Sequence, residues 1–400
     1  MRTKLRAREG YFERLTGPAA TQLSPTAGNT YLVLKAAAAG YAYFEAMYGT
    51  YYYPDSTKML HNTIDSAVNA ALASRGDKII VLEGHTETIA AAAGVDADKI
   101  GLIIEGRGSG ANKPTLTFTD ALSDIDIDAA SITIRNMRFI GGVASVAALI
   151  DVNAANFTLE DCDFYSGAAG YGVLISVITD AAANDITVRN CTFNYLVATD
   201  GTTAITETAT EAIRLVGADR AKIEGNYFSG DFTTAAINSV TTASKDVKIL
   251  NNYVNNIATE NIAGGIDLHA NTTGFVDENH VYVAYGTSAV ALIDPGAAVV
   301  GRNWVSNSAS ESPAMHGGAD ASDTVASTAV LVSTATSTAA SVGIQTSTVQ
   351  SKADSVGLTS STNTSKVSSV GIQTSTVSSQ VDSSWIAIST QLSLIRSKQG

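Results

Sequence analysis

The sequence predicts an all-β chain, a right-handed parallel β-helix with an N-terminal capping helix and a C-terminal fibre-like coiled-coil tail. Three observations predict it. A six-residue frame, with a β-branched residue or leucine first and an aromatic residue or valine last, returns seven times at intervals of 24 to 35 residues. It occupies 134–139, 159–164, 188–193, 223–228, 249–254, 276–281 and 300–305. That interval is the repeat length of folds that stack one coil per repeat. Second, the place three residues into the last four frames holds Asn226, Asn252, Asn279 and Asn303. A solenoid sets each side chain about 4.8 Å above its own copy. Asparagine suits such a ladder because its amide both donates and accepts. It also tolerates the left-handed backbone of a sharp turn. Third, 131–134 and 185–188 alternate apolar with polar residues, the period of a half-buried strand.

The elements follow in order. Residues 1–56 differ from the rest: Arg2, Lys4, Arg6, Arg8 and Arg14 form a basic head, followed by Ala- and Tyr-rich sequence. This reads either as a flexible tail with a strand or two or as a docking segment that orders on a partner through aromatic anchors. Residues 57–76 form the capping segment, where Leu60, Ile64, Ala67, Val68, Ala71 and Leu72 fall at helical spacing and Gly76-Asp77 stops the helix. A cap is expected because a bare first coil exposes unpaired backbone groups. Residues 77–305 are the solenoid, opening with strands at 78–82 and 100–104. Second strands lie between the frames at 148–152, 172–175, 211–215, 264–268 and 289–293. Long turns such as 199–210 explain the unequal intervals, and such insertions are where a binding site is built.

Residues 306–324 read as a linker and 325–400 as a Ser/Thr-rich tail. The stretch 341–349 recurs at 369–377, a multiple of seven residues later. One heptad register places Val342, Val349, Val356, Asn363, Val370 and Val377 at d, with Val381 and Ile388 at a. Gly343, Gly357 and Gly371 weaken helix propensity, so such a helix needs partner chains, and three chains are expected. A β-structured fibre shaft and a disordered tract are the alternatives.

With 400 residues, 45% hydrophobic, the chain is long enough for a large core, while a net charge of −13 argues against a nucleic-acid surface. The two cysteines, Cys162 and Cys191, share one place in successive frames with Met137 and read as stacked interior side chains rather than a disulfide or a metal pair. Neither a secretion signal nor a membrane span is read, since Lys35 and Glu45 interrupt the apolar stretch 31–53. None of the five histidines has metal-ligand spacing, so no metal and no cofactor are expected.

The run 76–89 (Gly-Asp-Lys-Ile-Ile-Val-Leu-Glu-Gly-His-Thr-Glu-Thr-Ile), with 103–108 and 113–116 after it, resembles the opening of right-handed parallel β-helix proteins among tailed-phage virion components, of pectate-lyase-like architecture. The resemblance covers about residues 55–305. It implies a structural protein of the virion surface, a head fibre, decoration protein or tailspike-like module. It further implies a homotrimer, assembled in the host cytoplasm, with capsid or other virion proteins as partners and weak adhesion to host polysaccharide. A fold hosts many functions, and the alternative is a tailspike-like depolymerase. A glycosidase needs two carboxylates about 5 to 9.5 Å apart. Candidates are Asp161 with Asp163, Asp126 with Asp128, Asp267 near Glu211, and Asp277 with Glu278. Outward positions of an acidic solenoid are acidic in any case, so these pairs do not by themselves make an enzyme.

Overall fold

In the computed structural model the described residues run from 28 to 316, omitting 169, 199–207, 240, 259–263, 285–291 and 308–309. The chain divides into units 1–320 and 321–400, and every described residue belongs to the first. The basic head Arg2, Lys4, Arg6, Arg8 and Arg14 and the heptad positions Val342 to Ile388 lie outside the described residues.

The described chain is a parallel β-solenoid of about nine turns. Each turn lays one short strand on each of up to three faces. Face one, an eleven-stranded sheet, includes Lys78–Val81, Ile103–Gly106, Thr133–Arg135, Thr158–Glu160, Thr187–Arg189, Lys222–Glu224, Val247–Leu250 and Gly274–Asp277. A seventeen-stranded sheet bends to form the other two. Face two includes Thr115–Phe118, Arg138–Gly141, Asp163–Ser166, Thr192–Ala198, Tyr253–Asn256, His280–Val283 and Asn303–Asn307. Face three includes Val95–Asp96, Ile125–Ile127, Val146–Val152, Val173–Thr179, Thr208–Arg214, Ile266–Asp267 and Ile293–Asp294. One long strand, Tyr227–Asn238, runs through the bend and pairs on face two at its start and on face three at its end. All these pairings are parallel, and the antiparallel strand Ser310–His316 then joins the edge strand Asn303–Asn307.

Register makes each interior position a column. On face one, Ile104, Ile134, Leu159, Val188, Ile223, Ile249 and Val276 align coil over coil, all essentially buried. On face two, Phe139, Phe164, Phe193 and Phe228 stack with centroids 4.9, 4.5 and 4.8 Å apart. Burying a side chain of this size contributes about 2–3 kcal/mol. Offset ring stacking adds about 0.5–1.5 kcal/mol per pair. Beyond Phe228 the column continues as Val254, Val281 and Val305.

The seven frames straddle the bend from face one to face two. The left-handed residue at this bend is not the ladder asparagine but its predecessor: Asn136, Asp161, Asn190, Gly225, Asn251 and Glu278 have φ between 53° and 65°. Each of these donates its backbone N–H to a carbonyl one coil on, as in Asn190 to Glu224 at 3.2 Å and Gly225 to Leu250 at 3.0 Å. A second left-handed column precedes the face-one strands at Ser131, Asn156, Asp185, Arg220 and Asp246. Short polar residues and glycine fill most of both columns because they tolerate this backbone best.

Two boundaries differ from the sequence reading. The solenoid sheet begins before residue 77: Thr30–Val33 pairs in parallel with Lys78–Val81. Arg75 fastens this early segment, bonding Asp55 and the buried Asp77 at 2.6 Å each, while Asp77 accepts from the Asn29 N–H at 2.7 Å. The helix expected across 57–75 is confined to α2, Ile64–Ala70; an earlier helix, α1, spans Tyr41–Tyr48. The Thr63 hydroxyl accepts from the Ser66 N–H at 3.2 Å and starts α2. Leu60 instead pairs with Leu32 in the sheet, and Leu72 is exposed. Ile64, Ala67 and Val68 are the buried face of α2. Periodicity alone could not separate a two-residue strand from the helix that follows it.

Candidate functional site

The ladder asparagines form one hydrogen-bonded file. Asn226 donates its backbone N–H and its side-chain Nδ2 to Asn252 Oδ1, each at 3.0 Å. Asn252 does the same to Asn279 Oδ1 at 2.9 and 3.0 Å, and Asn279 to Asn303 Oδ1 at 3.0 and 2.9 Å. Each Nδ2 also reaches a carbonyl of the preceding coil: Val188, Ile223, Ile249 and Val276 in turn. The file is buried, and its first carbonyl accepts from the Cys191 N–H at 2.9 Å. Met137, Cys162 and Cys191 continue the column upstream, buried, with both thiols free. Burial, and then Cys162, raise the Cys191 thiol, which keeps it protonated and unreactive. These residues hold the coils together and present nothing to solvent.

The outward rows of the faces differ sharply. On face one, Glu105, Arg135, Glu160, Arg189 and Glu224 follow one another on successive coils, in alternating charge. Arg135 bridges Glu105 at 2.5 Å and Glu160 at 3.5 Å, and Arg189 also pairs with Glu160. Lys78 and Arg107 add to Glu105, the latter at 3.0 Å. Burial alone would raise Glu105, but hydrogen bonds from Lys78 and Arg135 hold it below its ordinary value. This is cross-strand pairing of opposite charges.

Face three carries like charges. Asp96, Asp126 and Asp151 occupy one row on three successive coils. Burial first, then the carboxylates Asp124, Asp128, Asp151 and Asp96, push Asp126 up to about 6. Burial, with Asp124, Asp180 and Asp128, pushes Asp151 up to about 6 as well. Asp96 is raised by burial and by Asp98, and its Oδ1 is buried without a hydrogen-bond partner among the described residues. Further along, the same row continues as Ile178, Arg214, Asn238, Asp267 and Asp294. Arg214 forks onto the buried Glu211 at 2.6 and 2.8 Å, and Asn238 donates to the same carboxylate at 2.8 Å. Burial, Asp294 and Glu211 push Asp267 up to about 6. Asp267 and Asp294 are therefore a carboxylate pair on adjacent coils, about 4.8 Å apart at the backbone, with the half-buried Asp267 holding its proton to higher pH than an ordinary carboxylate.

The pairs singled out in the sequence fare differently. Asp161 sits in the turn with φ 55°, so it does not share a strand face with Asp163. The Asp163 carboxylate lies 3.0 Å from Lys113 and 3.7 Å from Arg138, while Lys113 also donates to the Asp161 carbonyl at 2.8 Å. Asp163 is thus an ion-paired anchor, not one of two carboxylates facing a shared groove. Asp277, the last residue of the strand Gly274–Asp277, accepts from the Arg302 N–H at 2.5 Å, and Glu278, in the turn that follows, pairs with the Arg302 guanidinium at 2.8 Å. Asp128 accepts from Asn153 at 3.0 Å. The buried His85 accepts the Lys35 N–H on Nδ1 at 2.9 Å and meets Glu87 through Nε2 at 3.1 Å, a structural role. Among the described residues no group of three or more His, Cys, Asp or Glu is arranged to hold a metal ion. No described helix is long and apolar enough to cross a membrane.

Fold and faces together define the class: a parallel β-solenoid whose shape is set by side-chain columns and whose faces carry unlike chemistry. The chain matches no family model and no curated protein. Among solved structures it is similar to sacteLam55A from Streptomyces sp. SirexAA-E, with 12% identity and a TM-score of 0.45 over 61% of this chain and 46% of that one. It thus spans just under half the length of that protein. A pectate lyase from Bacillus sp. N165, solved with trigalacturonate, is similar at 15% identity and a TM-score of 0.38 over 72% of this chain and 84% of that one. A Geobacillus virus E2 protein, ORF18, is similar at 11% identity and a TM-score of 0.22 over 61% and 57%.

Proposed function

We propose that this chain is a structural component of a bacteriophage virion, a head fibre, decoration or spike protein that displays its solenoid on the particle surface and adheres weakly to host glycans. The observation that carries the proposal is the continuous asparagine file joined to the paired charge row of face one. Both tie coil to coil along the axis, which is what a load-resisting rod requires. The sequence adds a basic head for docking and a heptad tail suited to a trimeric coiled coil. In this reading the solenoid is right-handed, as the twist of parallel crossovers favours, and α2 covers its first coil. Mass spectrometry of purified particles tests it: the chain is expected in virions at a fixed ratio to capsid protein. Its consistent absence from particles, with recovery on cell surfaces, would overturn the proposal.

A second reading is favoured by one observation, the Asp267–Asp294 pair. Retaining glycosidases use two carboxyl groups close together on one face, and of this pair Asp267, which burial makes hold its proton to higher pH, is the one suited to act as acid. In this reading Asp267 protonates the glycosidic oxygen as its bond to the anomeric carbon breaks and Asp294 bonds to that carbon, and water, giving a proton back to Asp267, then hydrolyses the glycosyl–Asp294 ester. Release of oligosaccharide from host capsule or lipopolysaccharide, abolished in both Asp267→Asn and Asp294→Asn, would replace the passive reading with this one.

A further inference from the structure

The helix at the N-terminal end of the solenoid turns its less polar side outward. α1 lies against Leu60–His61, the edge strand of the eleven-stranded sheet, so it stands at the end of the stack. Helical spacing puts Tyr41, Phe44 and Tyr48 on one side, and these three are half-buried. The opposite side holds Ala42, Tyr43, Ala46 and Met47, all exposed. Tyr43 is 64% and Met47 50% exposed, and no residue of α1 is buried. The outward side of a surface helix is ordinarily polar or charged. Here the one charged residue, Glu45, lies toward the covered side, where it accepts from the Tyr41 hydroxyl at 3.5 Å. The exposed aromatic surface runs on past the helix through Tyr51 and Tyr52. Residues 36–54 contain six tyrosines, and Glu45 is their only charge.

Charge also separates this end from the rest. Residues 1–62 carry seven Lys or Arg against four Asp or Glu, in a chain whose net charge is −13. Lys35 and Lys58, which flank the aromatic stretch, are exposed, while the acidic Asp55 is paired with Arg75. A cationic end with an uncharged aromatic face matches the surface of an anionic bilayer. Tyrosine is enriched where membrane meets water, with its ring toward the acyl chains and its hydroxyl among the headgroups. Lys and Arg close to the surface are drawn to anionic headgroups. One such signal gives marginal attachment, and two together give stable attachment. A helix of eight residues is too short to cross a bilayer and lies in its plane. Face three, with its carboxylate row, is repelled by the same surface, which leaves this end to make the contact.

We propose that α1 and the tyrosines after it bind an anionic lipid surface. Tyr43, Met47, Tyr51 and Tyr52 enter the headgroup layer, and the basic residues of 1–62 supply the attraction. This activity is separate from a structural place in a particle and stands or falls independently of it.

The test is co-sedimentation of the purified full chain with vesicles of phosphatidylcholine, with or without phosphatidylglycerol. Binding is expected only with phosphatidylglycerol and weakens as salt is added. Tyr43→Ser/Met47→Ser changes only exposed side chains, so it should keep the parent's circular dichroism and bind at least tenfold more weakly. Arg2→Gln/Lys4→Gln/Arg6→Gln/Arg8→Gln should lose at least as much. Leu122→Ser, which removes an apolar side chain 66% exposed elsewhere, should bind like the parent. No binding to either vesicle would overturn the proposal and leave the face to a protein partner. Equal binding to both vesicles would overturn it too, as would full binding by a folded Tyr43→Ser/Met47→Ser protein.

Discussion

Face one and face three are built alike but charged differently, face one in opposite pairs and face three in like ones. Both place half-buried outward side chains on parallel strands one coil apart. Face one fills its row with Glu105, Arg135, Glu160 and Arg189, so each charge finds its opposite on a neighbouring coil. Face three fills its row with Asp96, Asp126 and Asp151, so each carboxylate finds only its like. The first arrangement stabilises the stack, while the second costs stability at neutral pH and survives because the columns beneath hold the coils in place. A row that opposes folding is the better pointer to something other than folding. By the same argument Asp163, which Lys113 and Arg138 neutralise, belongs with face one in kind.

The comparison rests on a core common to both faces, and breaking that core has the largest expected effect. Asn252→Ala removes the acceptor of the Asn226 N–H and amide and leaves both buried. It should cost about 3 kcal/mol, from buried donors left unmade, read as a lower midpoint in urea unfolding. Next comes Glu105→Gln, which leaves Lys78, Arg107 and Arg135 without their shared carboxylate. A loss of about 2 kcal/mol is expected at pH 7. Because Glu105 sits below its ordinary value, its contribution is present above the unfolded carboxylate value and is lost as pH falls through the folded one. The gap between Glu105→Gln and the parent should therefore close below about pH 4, in thermal unfolding against pH. A smaller effect, about 0.5–1 kcal/mol, is expected for Tyr227→Ser, which removes one stacked cross-strand pair on face two.

Much of the fold was legible because stacking repeats a position. The frame at 223–228 marks Asn226 by its apolar neighbours, and the same spacing marks Asn252, Asn279 and Asn303. The left-handed turn residue was harder to see, since the column at that place mixes Asn136, Asp161, Asn190, Gly225, Asn251 and Glu278, and only backbone geometry unites them. Thr30–Val33 was obscured because a single strand outside the repeat carries no period. The rows of face three were hidden for a different reason. Asp126 was legible beside Asp128, two residues away along the chain, and Asp128 does act on it, but its row neighbours Asp96 and Asp151 lie thirty residues back and twenty-five on. Turns of unequal length separate the strands, so register across coils cannot be read without the structure. Asp294 was missed beside Asp267 for the same cause.

The most direct test of the contrast is the pH dependence of Asp126→Asn/Asp151→Asn. Both carboxyls are pushed up to about 6 in the folded chain, above the unfolded value of about 4. Folded protein therefore holds more protons between those values, and stability falls as pH rises through that window. With solvent screening the penalty is about 0.5 kcal/mol per carboxylate. Thermal unfolding should show the double variant more stable than the parent at pH 8 and equal to it at pH 4. A variant less stable than the parent at pH 8 would contradict the account, for it would mean that these carboxylates are held by favourable partners and that the two faces do not differ in kind.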